Sequence, residues 1–278
     1  MVSWKKVLLF GWGLLMTGYV SATSIVQVSQ GVKAESALLV EARTGRVLFS
    51  RNIDEPLPPA STTKLMTALL TYEQTGLRGS IKVATPDTKV EPTKLSLVPG
   101  ETVSVMGMVK SLLVGSANDC AMSLARYVGG GVVNFSAMMN RRARELGCSR
   151  TTFKNPNGLP AQGQLTTARD LLKIFQAAIS KPELRQMCQT KSFVIRTARG
   201  TQTVSNHNKL LGVFPGMGPA KTGWTYSSKH TYAASASRNG RELHLIILKS
   251  PNKWVDATLL FNYGFERLGQ PGLVSVRR

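Results

Sequence analysis

Three short motifs stand in order along a chain of 278 residues: Ser61-Thr62-Thr63-Lys64, Ser116-Ala117-Asn118 and Lys221-Thr222-Gly223. Together they hold the parts of a serine nucleophile and the groups that move its proton. A serine and a lysine three apart on a helix project from the same face. A hydroxyl attacks well only when a base takes its proton. Lysine becomes that base when burial or a second cation lowers its pKa, and Lys221 supplies the cation if the fold brings it near. Ser116, at a turn leading into a helix, is placed to relay a proton. Asn118 carries one donor group and one acceptor for a peptide backbone. Lys221 and Thr222, opening an edge strand, suit a carboxylate, and Gly223 lets a substrate backbone approach closely.

Each motif alone is weak. S-x-x-K recurs at Ser3 and at Ser250, and S-x-N recurs at Ser50, Ser237 and Ser250. Only Ser61 opens an amphipathic run, with Leu65, Ala68 and Leu69 on one face and the serine in a position that suits a helix cap. The order, spacing and context of the three motifs carry the argument.

The elements that must position these residues follow from periodicity and turn chemistry. Residues 37–40 and 46–49 predict a β-hairpin. Helices are expected from Ser61, over 104–113, over 117–128 up to three glycines at 129–131, from Phe135 to a stop at Gly147, and from a cap at Thr167 with Asp170 three later, ending before Pro182. Strands are expected at 193–195, 232–237 and 243–248, the last two joined at Asn239-Gly240, a strong hairpin signal. A helix over 255–268 closes the pattern. Hairpin, helices, strands, helix in that order implies an antiparallel sheet built from both chain ends with a helical lobe inserted between.

Longer stretches surround the motifs: Pro59-Ala60-Ser61-Thr62-Thr63-Lys64-Leu65-Met66-Thr67-Ala68, Ser116-Ala117-Asn118-Asp119, Asn155-Pro156-Asn157-Gly158-Leu159, Thr166-Thr167-Ala168-Arg169-Asp170 and Asn206-His207-Asn208-Lys209-Leu210. In this order they resemble the penicillin-binding and serine β-lactamase superfamily, and within it the low-molecular-mass D-alanyl-D-alanine carboxypeptidases. The resemblance runs from about Ala34 to about Leu268. It implies an α/β (mixed α+β) fold, an antiparallel five-stranded sheet flanked by N- and C-terminal helices with an inserted all-helical lobe. It also implies a substrate, a peptidoglycan stem peptide ending in D-Ala-D-Ala. Ser61 would attack the penultimate carbonyl, Lys64 would take its proton and Ser116 would pass one to the leaving amine. Backbone N–H groups of Ser61 and Trp224 would form an oxyanion hole. Asn118 would align the peptide, with Lys221 and Thr222 on the terminal carboxylate. β-Lactams, which mimic the dipeptide, would acylate Ser61. No cofactor and no metal are implied.

The same likeness leaves D,D-endopeptidase action open. A β-lactamase of class A type needs a glutamate in the helical lobe, and Glu145 and Glu183 stand outside the expected loop context. Pro219, two before Lys221, replaces a usual glycine, so the strand entry must differ locally. Ser228-Lys229-His230 replaces a usual A-G-[YF], adding a cation and an imidazole that suit either the pocket or a solvated strand end. The chain ends before the C-terminal β domain and amphipathic helix of many relatives.

Composition bounds the rest. Forty-two per cent hydrophobic and 18% charged residues exclude a wholly disordered chain. Thirty-five Lys+Arg against 15 Asp+Glu give +20, which points to anionic surroundings. Lys5 and Lys6, an uncharged run over 7–20 and small residues at 20–22 match a secretory signal. An uncleaved anchor also fits, although the run is short of the roughly 20 residues that span a bilayer. Either way the rest is outside the cytoplasm, in the periplasm or on the outer face of the cytoplasmic membrane, so nucleic acid is not the expected partner. The expected layout is a signal peptide over 1–22, a short linker over 23–33, a penicillin-binding D,D-peptidase domain over 34–270 and a tail over 271–278. The surplus charge becomes a candidate hold on anionic wall polymer or membrane. A non-catalytic, basic wall-binding protein would explain the charge but not the motifs. Cys148 and Cys188 could pair, and Cys120 could face the site or simply pack.

Overall fold

The structure, a computed structural model, describes residues 25–269; the expected leader, the first residues of the linker and the tail lie outside them. The chain begins with α1 (Ile25–Gly31), β1 (Ser36–Glu41) and β2 (Val47–Arg51). A 3₁₀ turn, Ala60–Thr63, then leads into α2 (Lys64–Thr75). Next come β3 (Ser80–Lys82), α3 (Thr85–Thr88), β4 (Thr102–Ser104), α4 (Val105–Val114), α5 (Asn118–Gly129) and α6 (Val132–Glu145). They are followed by α7 (Ala168–Ile179), α8 (Pro182–Cys188), β5 (Ser192–Thr197), β6 (Gly200–Ser205), β7 (Met217–Thr225), β8 (Lys229–Arg238), β9 (Arg241–Ser250) and α9 (Lys253–Arg267).

The main sheet has five antiparallel strands in the order β2-β1-β9-β8-β7. Both chain ends build it, as the order of elements implies. Alternate residues of one strand point to opposite faces, and here each face has its own core. Leu38 and Val40 of β1 and Ile246 and Leu248 of β9 pack under the helical lobe with α2, α4, α5 and α7. Ala37 and Leu39, with Leu245 and Ile247, pack against α1 and α9 on the other side. A sheet covered on both faces needs apolar residues at nearly every position, which is why β1 reads as a continuous apolar run.

Several local expectations are met with a visible cause. Asn239 and Gly240 both take positive φ, 45° and 74°, between paired Arg238 and Arg241, the backbone that a two-residue hairpin demands. Thr167 accepts from Asp170 N at 3.1 Å and caps α7. Other expectations are corrected. Ser61 does not cap a helix: it lies inside the 3₁₀ turn, and no side-chain cap bond is made there or at the start of α2. The helix capped by Thr167 does end before Pro182, and Pro182 in turn opens α8, where its missing N–H costs nothing. Residues 192–205 form a two-stranded ribbon, β5–β6, rather than one short strand. The last helix starts at Lys253, capped by Asn252. All three cysteines are free and buried, so Cys148 and Cys188 do not pair.

Candidate active site

The helical lobe and the edge strand β7 face each other across a cavity of about 370 Å³. Ser61, Ser116, Asn118, Thr222, Gly223 and Trp224 line it, while Lys64 and Lys221 stand buried behind its wall. Three separate stretches of sequence therefore converge on one place.

Lys64 is fully buried and lies 2.9 Å from Ser61 Oγ. Its ammonium also donates to the Asn157 carbonyl. Burial, and then the charge of Lys221, push the Lys64 pKa well below the ordinary lysine value. Without its third proton the amine accepts across the same contact, with the Ser61 hydroxyl donating. The Ser116 hydroxyl accepts from Lys221 Nζ at 3.0 Å, and Lys221 also donates to the Thr222 carbonyl at 2.9 Å. Burial lowers the Lys221 pKa to about 7. Ser116 holds φ at 59°, a left-handed backbone uncommon for a residue with a side chain.

Each supporting stretch has a legible task. The loop at 155–158 straps the start of α2: Thr67 Oγ1 donates to the Pro156 carbonyl at 2.6 Å, beside the Lys64 contact with Asn157. Gly158 takes φ +84°, and a Cβ there would collide with the Ala60 carbonyl. Gly223 is required in a way that differs from the sequence expectation. A Cβ on it would strike Thr231 Oγ1 and come within 2.8 Å of Ser61 N, so the glycine admits the protein's own nucleophile turn as well as any ligand. That approach sets the Ser61 amide beside β7, next to Trp224. The Trp224 ring is half-exposed and packs edge-on to Tyr226, with ring centroids 4.9 Å apart.

Asn118 spends its donors on the protein. Its Nδ2 reaches the carbonyls of Glu91 and Pro92 at 2.8 and 3.0 Å. Its Oδ1 is buried and has no partner, leaving an acceptor beside the cavity. Asp119 accepts from the amides of Leu95, Leu97 and Cys120. Asn118 and Asp119 thus pin the loop at 91–97, whose Pro92 and Thr93 form one wall. Pro219 sits where β7 loses register with β8, between Met217 and Ala220. The motif therefore lies in the later part of the edge strand rather than opening it.

The far end of the cavity lies beyond the three motifs and is lined by His207, Lys209, His230, Lys253 and Trp254. Lys253 ends the S-x-x-K at Ser250 and His230 belongs to the departure at 228–230, but neither segment signals that the two meet. Ser228 is buried in a turn, and Lys229 is exposed. No aspartate or glutamate is among the described residues lining the cavity. Glu145 pairs with Arg142 at the end of α6, and Glu183 lies in the first turn of α8. Cys120 is buried within the helical core and packs there.

A family described as D-alanyl-D-alanine carboxypeptidase matches residues 22–252. The chain is 32% identical over 240 residues to D-alanyl-D-alanine carboxypeptidase DacB2 of Mycobacterium tuberculosis, covering 84% of this chain and 82% of that protein. It is also 32% identical to a D-alanyl-D-alanine endopeptidase of Pseudomonas aeruginosa, over 84% of this chain and 77% of the relative. Among solved structures, a D-alanyl-D-alanine carboxypeptidase from Mycobacterium tuberculosis H37Rv superposes with a TM-score of 0.81 at 30% identity, over 88% of this chain and 96% of that one.

Proposed function

Because the chain belongs to the D-alanyl-D-alanine carboxypeptidase family, we propose that it is a serine D,D-carboxypeptidase that removes the terminal D-alanine from peptidoglycan stem peptides through an acyl-enzyme. The observation that carries this reading is the contact of a fully buried Lys64 with the Ser61 hydroxyl, 2.9 Å away at the cavity wall. Ser61 Oγ attacks the penultimate carbonyl carbon and Lys64 takes the hydroxyl proton. The carbonyl oxygen becomes an oxyanion held by the N–H groups of Ser61 and Trp224, fixed donors that favour the transition state. The C–N bond then breaks as the proton held by Lys64 passes through Ser116, itself in contact with Lys221, to the leaving amine of D-alanine, which leaves Lys64 a free base again. Water gives a proton to Lys64 as it attacks the remaining ester, the ester C–O bond breaks to release the shortened peptide acid, and that proton returns to Ser61 Oγ.

The free Asn118 Oδ1 accepts from a substrate amide. Lys221 is expected to hold the terminal carboxylate; two of its three ammonium donors go to Ser116 and the Thr222 carbonyl, and the group is buried behind the cavity wall. Thr222 and Lys253, which line the cavity, are better placed for that contact, with Lys221 supplying charge from behind. The lining lacks a carboxylate to activate a deacylating water for penicillin, which supports a long-lived β-lactam adduct rather than β-lactamase turnover. Cross-link cleavage uses the same residues, and the endopeptidase relative keeps it open; a digest of purified cross-linked muropeptides separates the two.

The decisive experiment labels the protein with a fluorescent penicillin and assays released D-alanine. Wild type is expected to give a covalent band and product, and Ser61→Ala neither; equal labelling of both overturns the nucleophile.

Residues 1–22 are read as an export leader that places one catalytic unit, 34–270, on the wall side of the cytoplasmic membrane. No helix among the described residues is long and apolar enough to cross a membrane. Many of the acids are engaged in pairs, such as Asp54–Arg169, Asp87–Arg126, Glu73–Arg142 and Glu242–Arg185. The surplus of lysine and arginine then serves to hold the enzyme at anionic wall polymer or lipid headgroups. Binding to isolated envelopes that ignores added salt would overturn that part.

A further inference from the structure

At the far end of the cavity Lys253 Nζ lies 2.9 Å from His230 Nδ1 and 4.4 Å from the centre of the Trp254 ring. The lysine is 6% exposed, and no carboxylate among the described residues pairs with it. The nearest acid on its own helix, Asp256, is committed to Lys33 N at 2.8 Å and Ser250 Oγ at 2.7 Å. A buried ammonium without an acid can be held in place only by a neutral acceptor and a ring face. His230 is that acceptor, and it arrives from β8 rather than from α9.

We propose that His230 is a positioning residue for carboxylate recognition: its Nδ1 lone pair holds the Lys253 ammonium against Trp254, aimed into the cavity where the substrate's terminal carboxylate arrives. This rests on the carboxypeptidase reading. It makes recognition depend on His230 being neutral with its proton on Nε2. Burial, and then the charge of Lys253, hold the His230 pKa below its ordinary value, so the imidazole is neutral at pH 7. Burial, and then Lys209, bring Lys253 down to about 8. The other titratable groups facing this pair are His207 and Lys209 from the loop after β6 and Lys221 from β7. None is an acid. Acidification therefore converts the 2.9 Å contact from attraction to repulsion and releases the ammonium. Alkalinisation instead removes the charge of Lys253.

The test measures KM and kcat from pH 5 to 9 on a peptide ending in D-Ala-D-Ala with a free carboxylate, and on its C-terminal amide. For the free acid, wild-type KM is expected to be lowest near neutrality and to rise on both sides. His230→Phe is expected to raise that KM about tenfold, the scale of one charge-assisted hydrogen bond, with kcat little changed and the acid-side rise gone. His230→Gln supplies a carbonyl acceptor that does not titrate, so it should restore KM and also lack the acid-side rise. KM for the amide should not respond to either variant. An unchanged KM and acid limb in His230→Phe, or an equal loss on the amide, overturns the inference while leaving the carboxypeptidase reading intact. Failure of wild type to release D-alanine at all overturns both.

Discussion

The Lys221 ammonium lies 3.0 Å from the Ser116 hydroxyl, across a gap of 105 residues in sequence. The contact joins the edge strand β7 to the turn before α5, and so crosses from the sheet to the helical lobe. It also sets a second buried cation behind the first. Burial first, and then the charge of Lys221, push the Lys64 pKa well below the ordinary lysine value.

Lys221→Met should therefore do two things. Second-order acylation by penicillin should fall by about a hundredfold or more, the scale for loss of a proton-handling group. The remaining activity should move to higher pH. Removing the neighbouring cation raises the Lys64 pKa towards its ordinary value, so more alkali is needed to free the amine. Stopped-flow acylation rates across pH read both effects, and an acid limb that stays in place would break the link between the lysines.

Lys64→Arg keeps a cation but cannot yield its proton. Acylation of Ser61 should collapse by about two to four orders of magnitude. Arginine is larger than the buried site, so Lys64→Met is the companion variant, with a thermal melt to show that it folds. Retention of most labelling by either removes Lys64 as the base.

Gly223→Ala should damage activity more than its single methyl suggests. The added Cβ meets Thr231 Oγ1 and the Ser61 amide, so β7 and the nucleophile turn must separate. A stability loss of about 1–3 kcal/mol is expected for such overpacking. Rates of labelling should drop further than that loss explains, because the oxyanion donors part. Chemical denaturation beside acylation kinetics separates the two.

The cysteines should behave as three independent buried thiols. Burial pushes Cys148 and Cys188 up to about 12 and Cys120 well above the usual thiol range. A chromogenic thiol reagent should find almost none reactive in the native protein and all three after denaturation. A melting temperature that rises with oxidant would mean that a disulfide has formed.

Much of the chemistry was legible because the spacing from the 3₁₀ turn into α2 and the K-T-G order are local facts. Ser61 and Lys64 are one helical turn apart, so their contact could be read without a fold. The sheet was legible for a similar reason, since β8 and β9 carry their own Asn-Gly turn. Lys253 was not legible. Its role depends on β8 delivering His230 beside the first turn of α9, and register between distant elements leaves no trace in either segment. The same holds for the contact of Lys221 with Ser116, which joins segments 105 residues apart. The ribbon of residues 192–205 was half missed because its strands are largely solvated and lack the apolar alternation that marks a buried strand.

One feature of the sheet governs how the molecule must assemble. β1 lies between β2 and β9, and the chain ends are tied again by Lys33 N and Asp256, 223 residues apart. The β1–β2 hairpin has an open edge until β9 has been synthesised. The helical lobe instead draws its α4–α5 and α5–α6 contacts from neighbouring sequence. Local contacts form early and distant ones late, so the lobe should organise first and the sheet should close over it last. The cavity between them, and with it the nucleophile's environment, then comes into being only in the final step of folding.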